Sequence, residues 1–166
     1  MEVKTLFLLR HAKSSWDYPR LRDFERPLAA RGSRDAPIMG RRFIERGASV
    51  DCIISSPAAR ARATALLLAE AIGFPIDDVV SNPDLYFCGT AMYLKAASLV
   101  EESCESAMLV GHNPTITDFA NEMTNAGIAN IPTCGLVEMT LPIDHWPEIS
   151  PGTATLAQFD FPKGGD

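Results

Sequence analysis

Apolar residues dominate 3–9, interrupted only at Lys4 and Thr5, and run unbroken over 107–110, whereas two later segments alternate. Val137, Met139 and Leu141 alternate with polar neighbours in 136–141, as do Ala157, Phe159 and Phe161 in 155–161. The continuous runs predict strands covered on both faces, and the alternation predicts half-exposed edge strands. A further strand is predicted over 50–55. Between these segments the period changes to that of a helix. Ala36, Met39, Gly40 and Phe43 share one helical face, and the segment stops at Gly47, a C′ glycine. Pro37 either lies in that helix's first turn or kinks a helix that begins earlier. Ser56 as N-cap and Pro57 at the first helical position open a second helix, which runs over 58–72 and closes at Gly73. A third helix is predicted over 91–101, and a fourth begins at Asn113 (cap) and Pro114 and runs to about Asn125. The segment 142–152, with Pro142, Pro147, Pro151 and Gly152, reads as a surface loop. Strands alternating with helices predict an α/β fold, a three-layer α/β/α sandwich with a mainly parallel central sheet and helices on both faces.

Length and charge narrow the picture. The 166 residues suit a single domain over 1–166, long enough to bury about two-thirds of its unfolded surface. An apolar fraction of 46% and a charged fraction of 22% are ordinary for a soluble globular chain. No apolar stretch approaches a membrane span, and 5–9 is too short for a signal-peptide core. The net charge of −6 argues against a general nucleic-acid binder. Most basic residues nevertheless fall within the first 62 positions, and only Lys95 and Lys163 lie beyond them. That asymmetry suits a local anionic ligand. Cys52, Cys88, Cys104 and Cys134 are far apart and form no CxxC pair, so the reading is of free thiols in a reducing cytosol, with no disulfide or zinc role.

The chemistry centres on histidine. Of three histidines, His11 ends the segment Leu9-Arg10-His11-Ala12-Lys13-Ser14 after the first strand, and His112 lies in Gly111-His112-Asn113-Pro114 after another. Two imidazoles at the carboxyl ends of strands of one sheet are expected to share one crevice. The predicted second strand ends at Ser55-Ser56-Pro57, beside a helix whose first turn carries Arg60. Arg60 and Thr64 share a helix face, and Arg62 points elsewhere. Guanidiniums and a helix amino terminus beside His112 together suit a phosphate. His145 falls in the proline-rich loop and is read as a plain loop residue.

These motifs, in this order and spacing, resemble the histidine phosphatase superfamily: Leu-Leu-Arg-His-Ala at 8–12, Ser-Ser-Pro-Ala-Ala-Arg-Ala-Arg-Ala-Thr at 55–64, and Gly-His-Asn-Pro at 111–114. The segment Asp23-Phe24-Glu25-Arg26-Pro27-Leu28 with Gly32, and the short chain, resemble its small SixA-type phosphohistidine phosphatase branch. The resemblance implies a phosphoglycerate mutase-like fold and a nucleophilic His11 that becomes phosphorylated. It implies a phosphate pocket of Arg10, Arg60 and His112, with Asn113 beside it, and a reaction that needs no cofactor or metal. No Asp/His cluster of metal-site spacing is present in the sequence. Phosphoryl transfer asks for a positioned nucleophile and charge stabilisation, and a phosphoenzyme divides one difficult attack by water into two easier steps.

The chain departs from the wider family at three points. Ala12 stands where a glycine is usual. Asp17 stands where many members place a pocket asparagine, and it is given no binding role. The glutamate that larger members use as proton donor has no counterpart in Pro83-Asp84-Leu85-Tyr86-Phe87-Cys88-Gly89, where Tyr86 or Phe87 takes its place. Asp23 and Glu25 are the remaining candidate acids. The expectation is a cytoplasmic phosphatase acting on phosphohistidine in a protein. The alternatives are a small-molecule phosphomonoesterase of the same superfamily and a non-catalytic phosphoprotein-binding module, which would have no use for a nucleophile. The sequence leaves the oligomeric state open.

Overall fold

Strand β1 (Lys4–Arg10) lies between two neighbours and divides its side chains between two cores. The computed structural model describes residues 3–162, so the ends of the expected 1–166 domain lie outside the described residues. After β1 come α1 (Ala30–Glu45), β2 (Cys52–Ser55), α2 (Ala59–Ile72), β3 (Val80–Ser81), α3 (Thr90–Ser98), β4 (Ser106–Gly111), α4 (Thr115–Thr124), β5 (Leu136–Leu141) and β6 (Thr155–Asp160). They form one six-stranded mixed sheet in the order β3-β2-β4-β1-β5-β6. The β1–β4, β2–β4 and β2–β3 pairs are parallel, and the β1–β5 and β5–β6 pairs are antiparallel. Phe7 and Leu9 pack with Met39 and Phe43 of α1 and Leu68 of α2. Leu6 and Leu8 pack with Tyr93 of α3 and Phe119 of α4 on the opposite face. The strands β1 and β4 are thus covered on both sides, which is why they read as continuous apolar runs.

Several local expectations change. Strand β5 is an interior strand, because β6 pairs along its outer side. Its alternation reports a difference between faces: Val137, Met139 and Leu141 are buried, while Glu138 turns to Arg46 just past α1, 2.8 Å from its guanidinium. The edges are β6 and the two-residue β3, which is too short and exposed to show a pattern. A register shift at Glu138/Met139 sets Glu138 opposite Gln158 and Met139 opposite Leu156. Leu156 and Phe159 therefore pack on the core, and Ala157 faces solvent. The helix α1 starts at Ala30, so Pro37 lies inside it; Gly47 (φ 79°) does close it. The cap of α2 is Ala58 and not Ser56, and that of α4 is Pro114 and not Asn113. The third helix ends at Ser98, short of 101. The 142–152 segment is pinned to the body by Trp146, which is fully buried and donates its indole N–H to the Cys104 carbonyl at 2.7 Å. His145 is exposed, with Nδ1 2.9 Å from Glu102.

One consequence of this topology positions the site. In parallel register Arg10 faces Gly111, and Ser55 of β2 faces Val110. The helix after β1 packs on one face of the sheet and the helix after β4 on the other, so the chain diverges beyond these strand ends and leaves a crevice. Three turns open into it: 11–14, 56–58 and 112–114.

Candidate active site

His11 and His112 leave adjacent strand ends, and their ring centroids stand 5.3 Å apart. The backbone of each is fixed. His11 N–H donates to the Gly111 carbonyl at 3.0 Å, and His112 N–H donates to the Tyr93 hydroxyl at 3.0 Å. That hydroxyl lies so close to Gly111 that a Cβ there would overlap it, which explains the glycine before the histidine. His11 Nδ1 is 2.7 Å from the Ala12 carbonyl. A carbonyl only accepts, so Nδ1 carries the ring proton and Nε2 keeps its lone pair. His112 Nε2 is 2.8 Å from Ser56 Oγ, while its buried Nδ1 has no partner. Ser56 Oγ accepts from Ala58 N–H at 3.2 Å, and when its own hydroxyl donates to Nε2 the proton of His112 sits on Nδ1. Burial lowers the His11 pKa to about 4, the Ala12 carbonyl opposing and Arg60, Arg10 and Arg26 adding to the fall. His112 falls to about 3, chiefly by burial, with His11 and Arg60 contributing. Both rings are neutral near pH 7.

Cations surround this pair. Arg10 donates from Nη1 to the Ile131 carbonyl at 3.0 Å, which anchors its guanidinium beside β1. Arg60 is buried at 6% exposure, and its helix is tied to the nucleophile loop through Thr64. The Thr64 hydroxyl donates to the Arg60 carbonyl at 2.7 Å and accepts from Ala12 N–H at 2.9 Å. Arg62, on the other face, is exposed and 3.2 Å from Ser81 Oγ. Asn113 reaches the rim, but its amide is committed elsewhere. It donates to Asn130 Oδ1 at 2.7 Å and to the Ile131 carbonyl at 3.2 Å, and accepts from the Thr117 hydroxyl at 2.6 Å. Asn113 thus ties the start of α4 to the Asn130 side chain and the Ile131 carbonyl while still lining the rim of the crevice.

The crevice has two lobes that meet at Arg60, His112 and Asn113. One, of about 410 Å³, is lined by His11, Arg10, Lys13, Ser14, Trp16, Arg26 and Thr133 as well. The other, of about 440 Å³, is lined by Leu85, Tyr86, Phe87, Cys88, Gly89, Tyr93, Pro114 and Thr115. Arg26, to which the sequence assigns no role, also lines the first lobe. It is buried, donates to Ser14 Oγ at 2.9 Å and to the Ser15 carbonyl at 3.2 Å, and stacks its guanidinium 3.6 Å from the centre of the Trp16 ring. Its signal in the sequence is the Asp23–Leu28 segment, which carries Arg26 into the pocket.

The candidate acids take definite places. Asp23 contacts Arg60 and Tyr86 without lining either lobe; burial would raise its pKa, but hydrogen bonds from Tyr86 and Arg60 outweigh that and hold it below the ordinary carboxylate range. Glu25 points to Arg22 at the surface, which lowers its pKa too. The Tyr86 hydroxyl donates to Asp23 Oδ2 at 2.8 Å, and Phe87 is 80% exposed. Asp17 is exposed, outside both lobes. Among the described residues no group of three or more His, Cys, Asp and Glu side chains could hold a metal ion, and no helix is long and apolar enough to cross a membrane.

The sequence profile of the histidine phosphatase superfamily (branch 1) matches residues 6–85, which carry His11 and Arg60. A SixA-type protein from Agrobacterium tumefaciens superposes with a TM-score of 0.80 at 32% identity, over 96% of this chain and 98% of that one. The chain belongs to the histidine phosphatase superfamily. An uncharacterised Mycobacterium tuberculosis protein is 31% identical over 166 residues, covering 93% of this chain and all of that one. The protein histidine phosphatase SixA solved with tungstate shares the fold, with a TM-score of 0.79 at 19% identity over 95% of this chain and 96% of that one. As a histidine phosphatase of this SixA-like kind, the protein is a hydrolase that removes phosphoryl groups.

Proposed function

We propose that the protein hydrolyses phosphohistidine in a protein substrate through a phosphoenzyme formed on His11. Nε2 of His11 is the free, unprotonated nitrogen of a ring whose other nitrogen is fixed on the Ala12 carbonyl. It attacks phosphorus, the bond to the leaving nitrogen breaks, and water then cleaves the His11 phosphoramidate to release phosphate. Arg10, Arg60 and the Nδ1–H of His112 steady the equatorial oxygens. Arg26 adds positive charge behind them.

The observation that carries the choice of P–N over P–O bonds is where the acids are. Asp23 is held as a carboxylate, and Tyr86 spends its proton on Asp23. An alkoxide leaving group needs a positioned proton donor, a contribution of about 10²–10⁴-fold. A phosphoimidazole leaves as a neutral ring once water has protonated it. The free thiols of Cys52, Cys88, Cys104 and Cys134 suit a reducing cytoplasm. The test is kcat/KM for a phosphohistidine peptide, an aryl phosphate and a sugar phosphate under one condition. The expected order is that order; a sugar phosphate that equals or beats the phosphohistidine peptide overturns the reading.

A further inference from the structure

Arg60 is held from one side only. Its Nη1 donates to the Asp23 backbone carbonyl at 2.7 Å, and its Nη2 to Asp23 Oδ2 at 2.9 Å. The same Oδ2 accepts from the Tyr86 hydroxyl at 2.8 Å, and Asp23 Oδ1 lies 3.4 Å from Arg26 Nε. One carboxylate thus joins two arginines of the cationic lobe to the aromatic wall of the other. The Tyr86 ring is itself wedged, 5.0 Å from Phe24 and 5.5 Å from His112 between centroids. Arg60 Nε is buried and has no partner. A guanidinium has five N–H groups in a rigid plane, so fixing the Nη edge fixes where Nε points.

We infer that Asp23 and Tyr86 are positioning residues for Arg60: they grip its Nη edge and turn the unpaired Nε–H, with a remaining Nη proton, toward the phosphoryl oxygens. Tyr86 stands where larger relatives are expected to carry an acid. Here the position serves to buttress an arginine, and the proton-donor function is absent because the hydroxyl proton is already given to Asp23. The Asp23 backbone carbonyl grips Nη1 whatever its side chain, so the carboxylate sets the tilt of the plane, and an incoming phosphate need not displace it. Misplacement of a charge-stabilising group by about 1 Å is enough to cost on the order of 10²-fold.

The inference rests on Arg60 acting on phosphate, and a kinetic double-mutant cycle separates the two claims. Turnover of an aryl phosphate and competitive inhibition by inorganic phosphate are measured for Asp23→Ala, Asp23→Asn and Tyr86→Phe, each in wild-type and Arg60→Ala backgrounds, with thermal melts to confirm folding. In the wild-type background Asp23→Ala lowers kcat about 10–100-fold, Asp23→Asn recovers most of that loss because its amide oxygen still accepts from Nη2, and Tyr86→Phe costs a few-fold. In the Arg60→Ala background none of the three costs anything further. A full loss on top of Arg60→Ala, with Asp23→Asn as impaired as Asp23→Ala and the basic limb of the pH profile displaced, makes Asp23 an acid in its own right and overturns the proposal. A gain of activity or tighter phosphate inhibition in Asp23→Ala also overturns it, since the carboxylate would then only obstruct Arg60. If Arg60→Ala alone keeps full activity, it is the phosphate-pocket reading that has failed.

Discussion

The two lobes of the crevice are built by different means. The lobe around His11 is made of strand ends and a helix: His11 is 7% exposed, its loop is stapled to α2 through Thr64, and each arginine is anchored by a backbone carbonyl or a hydroxyl. The lobe around Tyr86 is made by the 83–89 connection, whose outermost residue, Phe87, is 80% exposed and held at φ 47°. A non-glycine residue in the left-handed region is kept there only by its surroundings. In this case its ring leans on Tyr86, with centroids 4.3 Å apart. The sheet therefore fixes where phosphate is handled, and a loop decides what may stand next to it.

Substitutions can break that contrast from either side. The largest loss is expected for His11→Ala, on the order of 10⁴–10⁶ in kcat, as when a covalent nucleophile is removed. Arg60→Ala is expected to cost on the order of 10²–10³. Arg62→Ala, on the outer face, should leave kcat within about twofold; equal losses for the two arginines would mean that the phosphate does not lie on the buried face of α2. Thr64→Val leaves the Ala12 N–H and the Arg60 carbonyl without their shared hydroxyl, and should lower stability by about 1–3 kcal/mol in denaturant unfolding.

The pH dependence sharpens the comparison further. His11 acts while neutral, so the acid limb of kcat/KM for an aryl phosphate should fall near pH 4 and not near 6.5. A limb at 6.5 would mean a solvated, freely titrating imidazole. The same shift has a stability consequence. Because the folded pKa is depressed, the unfolded chain takes up the proton first as pH falls, and stability is lost between about 6.5 and 4. His112 is depressed in the same direction, so His11→Gln should reduce the fall of the melting temperature over that window and leave the share due to His112. The smallest effect is expected for Phe87→Ala: little change in aryl phosphate turnover, and a modest rise in KM for a phosphohistidine protein.

Much of the cationic lobe was legible because its residues sit beside strand ends, which continuous apolar runs announce, and because short motifs place them there. His11, His112, Arg10 and Arg60 converge for that reason. The commitments of individual side chains were not legible. Asn113 turns its amide to 130–131, and Asp23 accepts from Arg60; both depend on contacts far apart in the chain. The helices start later than Ser56 and Asn113 suggest because a polar residue before proline looks like a cap, while here the Ser56 hydroxyl is shared between Ala58 N–H and His112. The C-terminal strands misled through alternation alone. A sequence cannot show that β6 covers the flank of β5, and the register shift that brings Leu156 inward has no local mark. Trp146 was missed because prolines dominate its segment.

The most direct test is the site of the covalent phosphoryl group. Wild-type protein is mixed with a phosphohistidine peptide or an aryl phosphate, quenched without acid to preserve phosphoramidates, and mapped by mass spectrometry. The predicted result is phosphate on His11 alone, absent in His11→Ala and accumulating in Arg60→Ala only in proportion to its residual turnover. Phosphate on any other residue, or turnover by His11→Ala at the wild-type rate, would contradict the account.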